Sequence, residues 1–201
     1  MHRLFANWVY GGGLAGVLLL LLSPLLIGSW PTVMTLTFLH LPAYMLHQYE
    51  EHDDDRFRRF LNGAFGKEVL SPAAVFIINV PGVWGVITVS LYLASRISIG
   101  FALIAVYLVF VNGMVHIAHA AIFRAYNPGL GSAILLFVPF GGYSLWRVQQ
   151  AGGGALVFQA IGLLTALAIH AALIVYAVRR RKTAPPIRDP NARESFERSW
   201  H

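Results

Sequence analysis

The chain contains no cysteine in its 201 residues. Disulfides and thiolate metal sites are therefore excluded, and any metal ligands must be nitrogen or oxygen donors. Charge is scarce as well: 12% of the residues are charged, against about 25% in an ordinary soluble domain. No phosphate-cradling loop is present, because Gly11-Gly12-Gly13, Gly141-Gly142 and Gly152-Gly153-Gly154 match neither P-loop nor dinucleotide spacing. These glycines suit close helix contacts or helix starts. The formal net charge of +6 would suit nucleic acid, yet the basic residues flank apolar segments instead of forming a stripe. Nucleic acid is not expected as a partner, and membrane topology accounts for the charge.

What the chain has in abundance is apolar sequence, with 57% hydrophobic residues. Runs of roughly 20 residues, enough to cross a bilayer, recur along it. Six candidate spans follow: residues 10–28, 31–50, 73–94, 97–122, 130–147 and 153–178. The second is the least apolar, holding His40, Pro42 and His47, and suits burial among neighbouring helices better than contact with lipid. Residues 14–22 imitate a signal-peptide core, but no small-x-small cleavage site follows, and the segment reads as a retained helix. Trp30-Pro31 makes a tight turn into the second span, since proline is tolerated at a helix start. Asn79-Val80-Pro81-Gly82 is expected to kink the third.

An all-α fold follows, a polytopic membrane bundle of six transmembrane helices. With the N-terminus in the cytoplasm, ten basic residues (Arg3, Arg56, Arg58, Arg59, Lys67, Arg124, Arg179, Arg180, Arg181 and Lys182) fall on that side and two, Arg96 and Arg147, on the other. Both termini are then cytoplasmic, and the bacterial inner membrane is the expected location. Residues 1–182 form the helical domain. Residues 183–201, with Pro185-Pro186 and mixed charges, read as a disordered cytoplasmic tail. Asp53-Asp54-Asp55-Arg56-Phe57-Arg58-Arg59, the densest charged stretch between spans, reads as a solvated interfacial turn, with a cap over the site entrance as the alternative.

Three histidines stand at matching distances from the basic ends of spans two, four and six. His47 lies nine residues before Arg56, His116 eight before Arg124 and His170 nine before Arg179. If those spans run in one direction, the imidazoles share a layer of the bilayer, where ionisable groups are costly and usually functional. Glu50 and Glu51 follow in His47-Gln48-Tyr49-Glu50-Glu51, placed by helical phase about 60° to one side of His47 and about 40° to the other. His40 lies on the same face about 10 Å deeper, whereas His52 projects away and reads as interfacial. On the fourth span Asn112, His116 and His119 share a face.

Imidazole and carboxylate are the donors that zinc, iron or manganese take when thiolate is absent. The expected metal ligands are His47, Glu51, His116, His119 and His170. Glu50 is the expected general base, and Asn112 and His40 are expected to support the ligands from behind. A bound zinc would favour hydrolysis by lowering the pKa of its water toward ~7; iron in a 2-His-1-carboxylate set would favour oxygen chemistry. Competing readings exist for single residues: a helix–helix hydrogen-bond partner for His40, an interfacial side chain for His119, a surface pair at a helix end for Glu50 and Glu51. Tyr126-Asn127-Pro128-Gly129 reads first as a turn.

The motifs Trp30-Pro31, His47-Gln48-Tyr49-Glu50-Glu51, Asn112-Gly113-Met114-Val115-His116 and Tyr126-Asn127-Pro128-Gly129 occur in that order. They resemble the HXXEE family of bacterial integral-membrane proteins, named for the first of these motifs and similar in the second to its N-x-x-x-H motif. The resemblance covers roughly residues 30–176. It implies a polytopic helical protein in which His47, Glu50, Glu51, Asn112 and His116 are conserved, and it implies no established reaction.

From the chemistry of the residues, the expected function is a membrane-embedded, metal-dependent enzyme that hydrolyses or oxidises a hydrophobic or lipid-like substrate. Alternatives are a b-type haem protein with His116 and His170 as axial ligands, a metal or proton transporter stepping through His40 and His47, and an accessory or scaffold subunit. Homo-oligomers or a larger membrane complex fit the small size.

Overall fold

The computed structural model describes residues 2–187, all of whose regular elements are helical. Six long helical segments lie along the chain in the order expected. Helix α1 (His2–Leu22) closes with a 3-10 turn and is followed by α2 (Thr32–His52). A 3-10 turn at Asp53–Asp55 leads into α3 (Arg56–Phe65). Helix α4 (Pro72–Ile77) runs through a π-helical stretch, Ile78–Trp84, into α5 (Gly85–Arg96). Helix α6 spans Ala102–Phe123. The short α7 (Leu130–Ser132) continues through a second π stretch, Ala133–Phe137, into α8 (Val138–Gln150), and α9 (Leu156–Thr183) is last.

Among the described residues, four segments are long and apolar enough to cross a membrane: Arg3–Leu25, Pro72–Arg96, Ile99–Phe123 and Leu156–Thr183. The second and fifth expected spans are helical but fall outside that class. The physical reason for α2 is its burial of polar groups, His40, His47, Gln48, Glu51 and His52, which lower its hydropathy and are sheltered by neighbours rather than by lipid.

Helix α6 is the axis of the bundle. Ala102, Leu103, Ala105, Val106, Leu108 and Val109 are all fully buried, and α2, α5, α8 and α9 pack around them. Tyr44, Val83, Ile87 and Phe137 join α6 in the central core. Helix α1 lies against α2 at close range, because a Cβ at Gly16 would stand 2.9 Å from Met45 Cβ and 3.3 Å from the Pro42 carbonyl. Outward faces are apolar, with Leu14, Leu135 and Leu156 exposed, while polar residues are inside.

The expected kink at Pro81 takes the form of the π-helical turn. Proline lacks an N–H and clashes with the carbonyl four residues back, and a wider turn absorbs both defects. The turn also aims Asn79 inward. Its Oδ1 accepts from Gln48 Nε2 at 2.8 Å, its Nδ2 donates to the Val75 carbonyl at 2.9 Å, and Trp84 Nε1 donates to Gln48 Oε1 at 2.6 Å. This satisfied buried network pins α2 to the third span.

The acidic turn is more ordered than a merely solvated one. Asp54 and Asp55 both hold left-handed backbone conformations, at φ 51° and 60°, and pair with Arg59 and Arg58. Arg59 keeps the Asp54 carboxyl below its ordinary pKa through a hydrogen bond and its charge. Chain reversal here folds α3 back so that Phe57, Leu61 and Phe65 cover the core around Trp8, Val69 and Leu70. Of the expected disordered tail, Ala184 to Pro186 lie beside the α3–α4 connection, where Glu68 N donates to the Pro185 carbonyl at 3.0 Å; residues 188–201 lie outside the described residues.

Since the natural chain lacks cysteine, single cysteines report topology cleanly. Thr183→Cys should react with an impermeant thiol reagent only from the cytoplasmic face, and Ile97→Cys, 68% exposed, only from the opposite face. Labelling of both from one side would overturn the six-span threading.

Candidate metal centre

His47, Glu51 and His116 converge in the buried interior, at 0%, 5% and 6% exposure. One ligand atom from each lies within 4.8 Å of the others. Glu51 Oε2 is 3.6 Å from His47 Nε2, and Glu51 Oε1 is 3.6 Å from His116 Nε2. Helical phase explains the first pair, because i and i+4 stack on one face. The second requires α6 to cross α2 at the right depth.

The far side of each imidazole determines what faces the centre. His47 Nδ1 is 2.8 Å from Ser132 Oγ, and Ser132 Oγ itself donates to the Gly129 carbonyl. With its hydroxyl proton directed there, Ser132 Oγ can accept from His47 Nδ1–H. His116 Nδ1 makes a short contact with Asn127 Oδ1. The Asn127 amide is oriented by its Nδ2, which donates to the His116 carbonyl at 3.0 Å, so Oδ1 accepts from His116 Nδ1–H. With Nδ1 engaged outward, each ring turns Nε2 toward Glu51, where His47 Nε2 has no hydrogen-bond partner. Two ring nitrogens and a carboxylate thus meet in a buried pocket, a donor set that a cation can join.

A divalent ion fits this donor set. Two donors about 2.1 Å from a tetrahedral ion stand about 3.4 Å apart; each imidazole Nε2 is 3.6 Å from its own oxygen of Glu51, and the three ligand atoms lie within 4.8 Å of one another. Ring N–H groups bonded outward to an amide oxygen and a hydroxyl are the usual supports of metal-ligating histidines.

Glu50 has a different task from the expected one. Both its oxygens are occupied: Oε1 accepts from Gly131 N at 3.0 Å and Tyr126 Oη at 3.1 Å, and Oε2 accepts from Ser132 N at 2.7 Å. The carboxylate sits on the free amides that open the fifth helical segment, a position that favours an anion. It anchors the loop instead of facing the centre as a base. That loop includes Gly129, at φ +95°, where an added Cβ would stand 2.8 Å from His47 Cε1 and 2.9 Å from His116 Cε1. Only glycine lets the backbone roof the two rings so closely.

The other expected site residues lie outside the three-residue group, although Glu51 and His116 are near enough to His170 to act on its charge. His119 turns to the rings of Phe60 and Phe123, at 5.4 and 4.6 Å. His170 Nδ1 bonds the Ala166 carbonyl of its own helix at 2.8 Å. Anchor spacing gives depth along a helix but not its rotation, and the rotation of α9 is governed by its packing on α6. Asn112 bonds neither histidine, and its Oδ1 has no partner. His40 is fully buried against Phe140, ring centroids 4.4 Å apart, with neither nitrogen hydrogen-bonded.

His52, by contrast, is not interfacial. It is 4% exposed, held between Trp8 and Phe57, with Nε2 3.2 Å from Glu51 Oε2. Chain reversal after Asp53 covers it, which helical phase alone does not reveal. Asn127 and Ser132 were likewise illegible as supports; the Asn-Pro-Gly turn was the only signal.

A family model described as a protein of unknown function with an HXXEE motif matches residues 38–144, more than half of the chain, and the chain belongs to that family. The matched stretch contains all three members of the centre and the loop that supports them. No curated protein and no solved structure matches the chain.

Two supports should be separable from the ligands. Asn127→Ala and Ser132→Ala should each weaken metal affinity by about 10–100-fold, measured by competition with a chelator. Glu51→Gln should abolish binding. Glu50→Gln should retain metal but lower thermal stability by about 1–3 kcal/mol, because an amide NH₂ would face backbone donors.

Proposed function

We propose that this protein is an integral membrane metalloprotein in which His47, Glu51 and His116 hold a zinc or iron ion, and that the centre acts on a hydrophobic or lipid-like substrate by hydrolysis or oxidation. One observation carries the metal reading: two ring nitrogens and a carboxylate meet in a buried pocket, while both outward ring nitrogens are engaged elsewhere. When bound, such an ion supplies a Lewis acid and an activated water, or open positions for oxygen. The chain's own residues orient the imidazoles and exclude bulk water from them.

Membrane residence rests on the four long apolar helices and on the inverted surface, with leucines outside and histidines, Gln48 and Asn79 inside. The ten-to-two split of basic residues supports cytoplasmic termini and the inner membrane of a bacterium. A substrate reaching a centre enclosed by apolar helices would itself be apolar over most of its length, which favours a lipid-like molecule.

A transport reading has one observation of its own. His40 lies two turns deeper on the face of His47, buried and without hydrogen bonds. No carboxylate or further histidine of α2 continues the path beyond it, so the metalloenzyme reading explains more of the site.

Elemental analysis of detergent-purified protein, with an absorption spectrum, tests the proposal. About one zinc or non-haem iron per chain is expected, lost in His47→Ala and His116→Ala and retained in His119→Ala. A Soret band would replace the proposal with a haem protein, and a metal-free wild type that binds no added zinc would overturn it.

A further inference from the structure

The centre is closed on one side and approached on the other. On the loop side, Gly129 lies against both imidazoles, and Asn127 and Ser132 occupy their outer nitrogens. On the other side a cavity of about 460 Å³ opens between α1, the acidic turn and the start of α4. Trp8, Pro72 and Val75 form its apolar wall, and Asp54, Asp55 and His52 are among its lining residues. His52 joins this cavity to the centre: it lines the one, and its Nε2 lies 3.2 Å from Glu51 Oε2 of the other. The other ring nitrogen of this buried histidine, Nδ1, has no hydrogen-bond partner.

We propose that this cavity is the route by which a divalent cation reaches the centre, with Asp54 and Asp55 at its mouth and His52 at its floor. The inference rests on the metal reading of His47, Glu51 and His116. An ion bound by fully buried ligands must shed its water in stages, and carboxylate, imidazole, carboxylate is a sequence of oxygen and nitrogen donors for doing so. Both mouth carboxylates already pair with arginines, Asp54 with Arg59 and Asp55 with Arg58. They therefore hold a cation weakly, as a passage should. The two consecutive left-handed residues at this point are a costly backbone arrangement of the kind that persists at functional sites.

Uptake of Co²⁺ by metal-stripped, detergent-solubilised full-length protein separates route from site. The rate is followed by cobalt absorbance, and the final content by elemental analysis. Ala73→Trp, which fills the cavity away from the ligands, should slow uptake at least about tenfold with unchanged final content. Asp54→Asn combined with Asp55→Asn should slow it at low ionic strength by about tenfold, the lower end of electrostatic steering, and this pair keeps the packing if the tryptophan variant fails to fold. Leu135→Trp, on the outward face, should load at the wild-type rate. Wild-type rates in both cavity variants, with normal final content, would overturn the route while leaving the metal reading intact. A wild type that takes up no Co²⁺ would remove the metal reading first and the route with it.

Discussion

Everything at the working end of the bundle hangs on the seating of one carboxylate at the start of a helix. Glu50 accepts from the amides of Gly131 and Ser132 and from Tyr126 Oη, and so fastens the loop between α6 and α7 to the end of α2. That loop then delivers three things at once: the Asn127 amide to His116, the Ser132 hydroxyl to His47, and the Gly129 backbone onto both rings. The anchor thus backs the contacts of Asn127 with His116 and of Ser132 with His47 that orient the two imidazoles. The adjacent glutamates of the motif divide the work, one facing the histidines and one holding the loop that orients them.

A second constraint is the polar interior. A bundle with leucines outward must find partners for each polar group it encloses, since an unsatisfied one costs about 1–3 kcal/mol. Gln48 meets this demand through Asn79 and Trp84, which gives the second position of the motif a structural purpose and ties α2 to the third span. Ser90 does the same between α5 and α6, donating to the Phe101 carbonyl and accepting from Ala105 N. Other enclosed groups have no hydrogen-bond partner, among them both nitrogens of His40, Asn112 Oδ1, Ser144 Oγ, His47 Nε2 and His52 Nδ1. Of these, His47 and His52 lie beside Glu51.

The cavity beside His52 gives the acidic turn a role that charge counting misses. Asp53, Asp54 and Asp55 offset the arginines that follow them, so the stretch looks neutral in sequence and would pass for a solvated connection. Folded, it places two carboxylates beside the cavity lined by His52, the neighbour of Glu51. A buried site needs such an approach as much as it needs ligands.

Helical phase and charge asymmetry are properties of single segments, and they were legible in the chain: six helical segments in order, His47 and Glu51 on one face of α2, His116 at the same depth on α6, and family membership through the motif order. What the sequence could not decide is how each helix is turned about its axis and which loop closes over which face. Depth made His170 look equivalent to His116, and helical phase did the same for His119, yet His170 Nδ1 bonds its own backbone and α3 folds back so that His119 meets Phe60. Asn127, Ser132 and His52 became parts of the centre through contacts between residues far apart in the chain or through a reversal at Asp54. Such contacts leave no periodicity in the sequence. The candidate ligands His47, Glu51 and His116 could be picked out from local geometry, whereas the side chains that orient them and the loop that roofs them are set only by the tertiary structure, because each comes from another part of the chain.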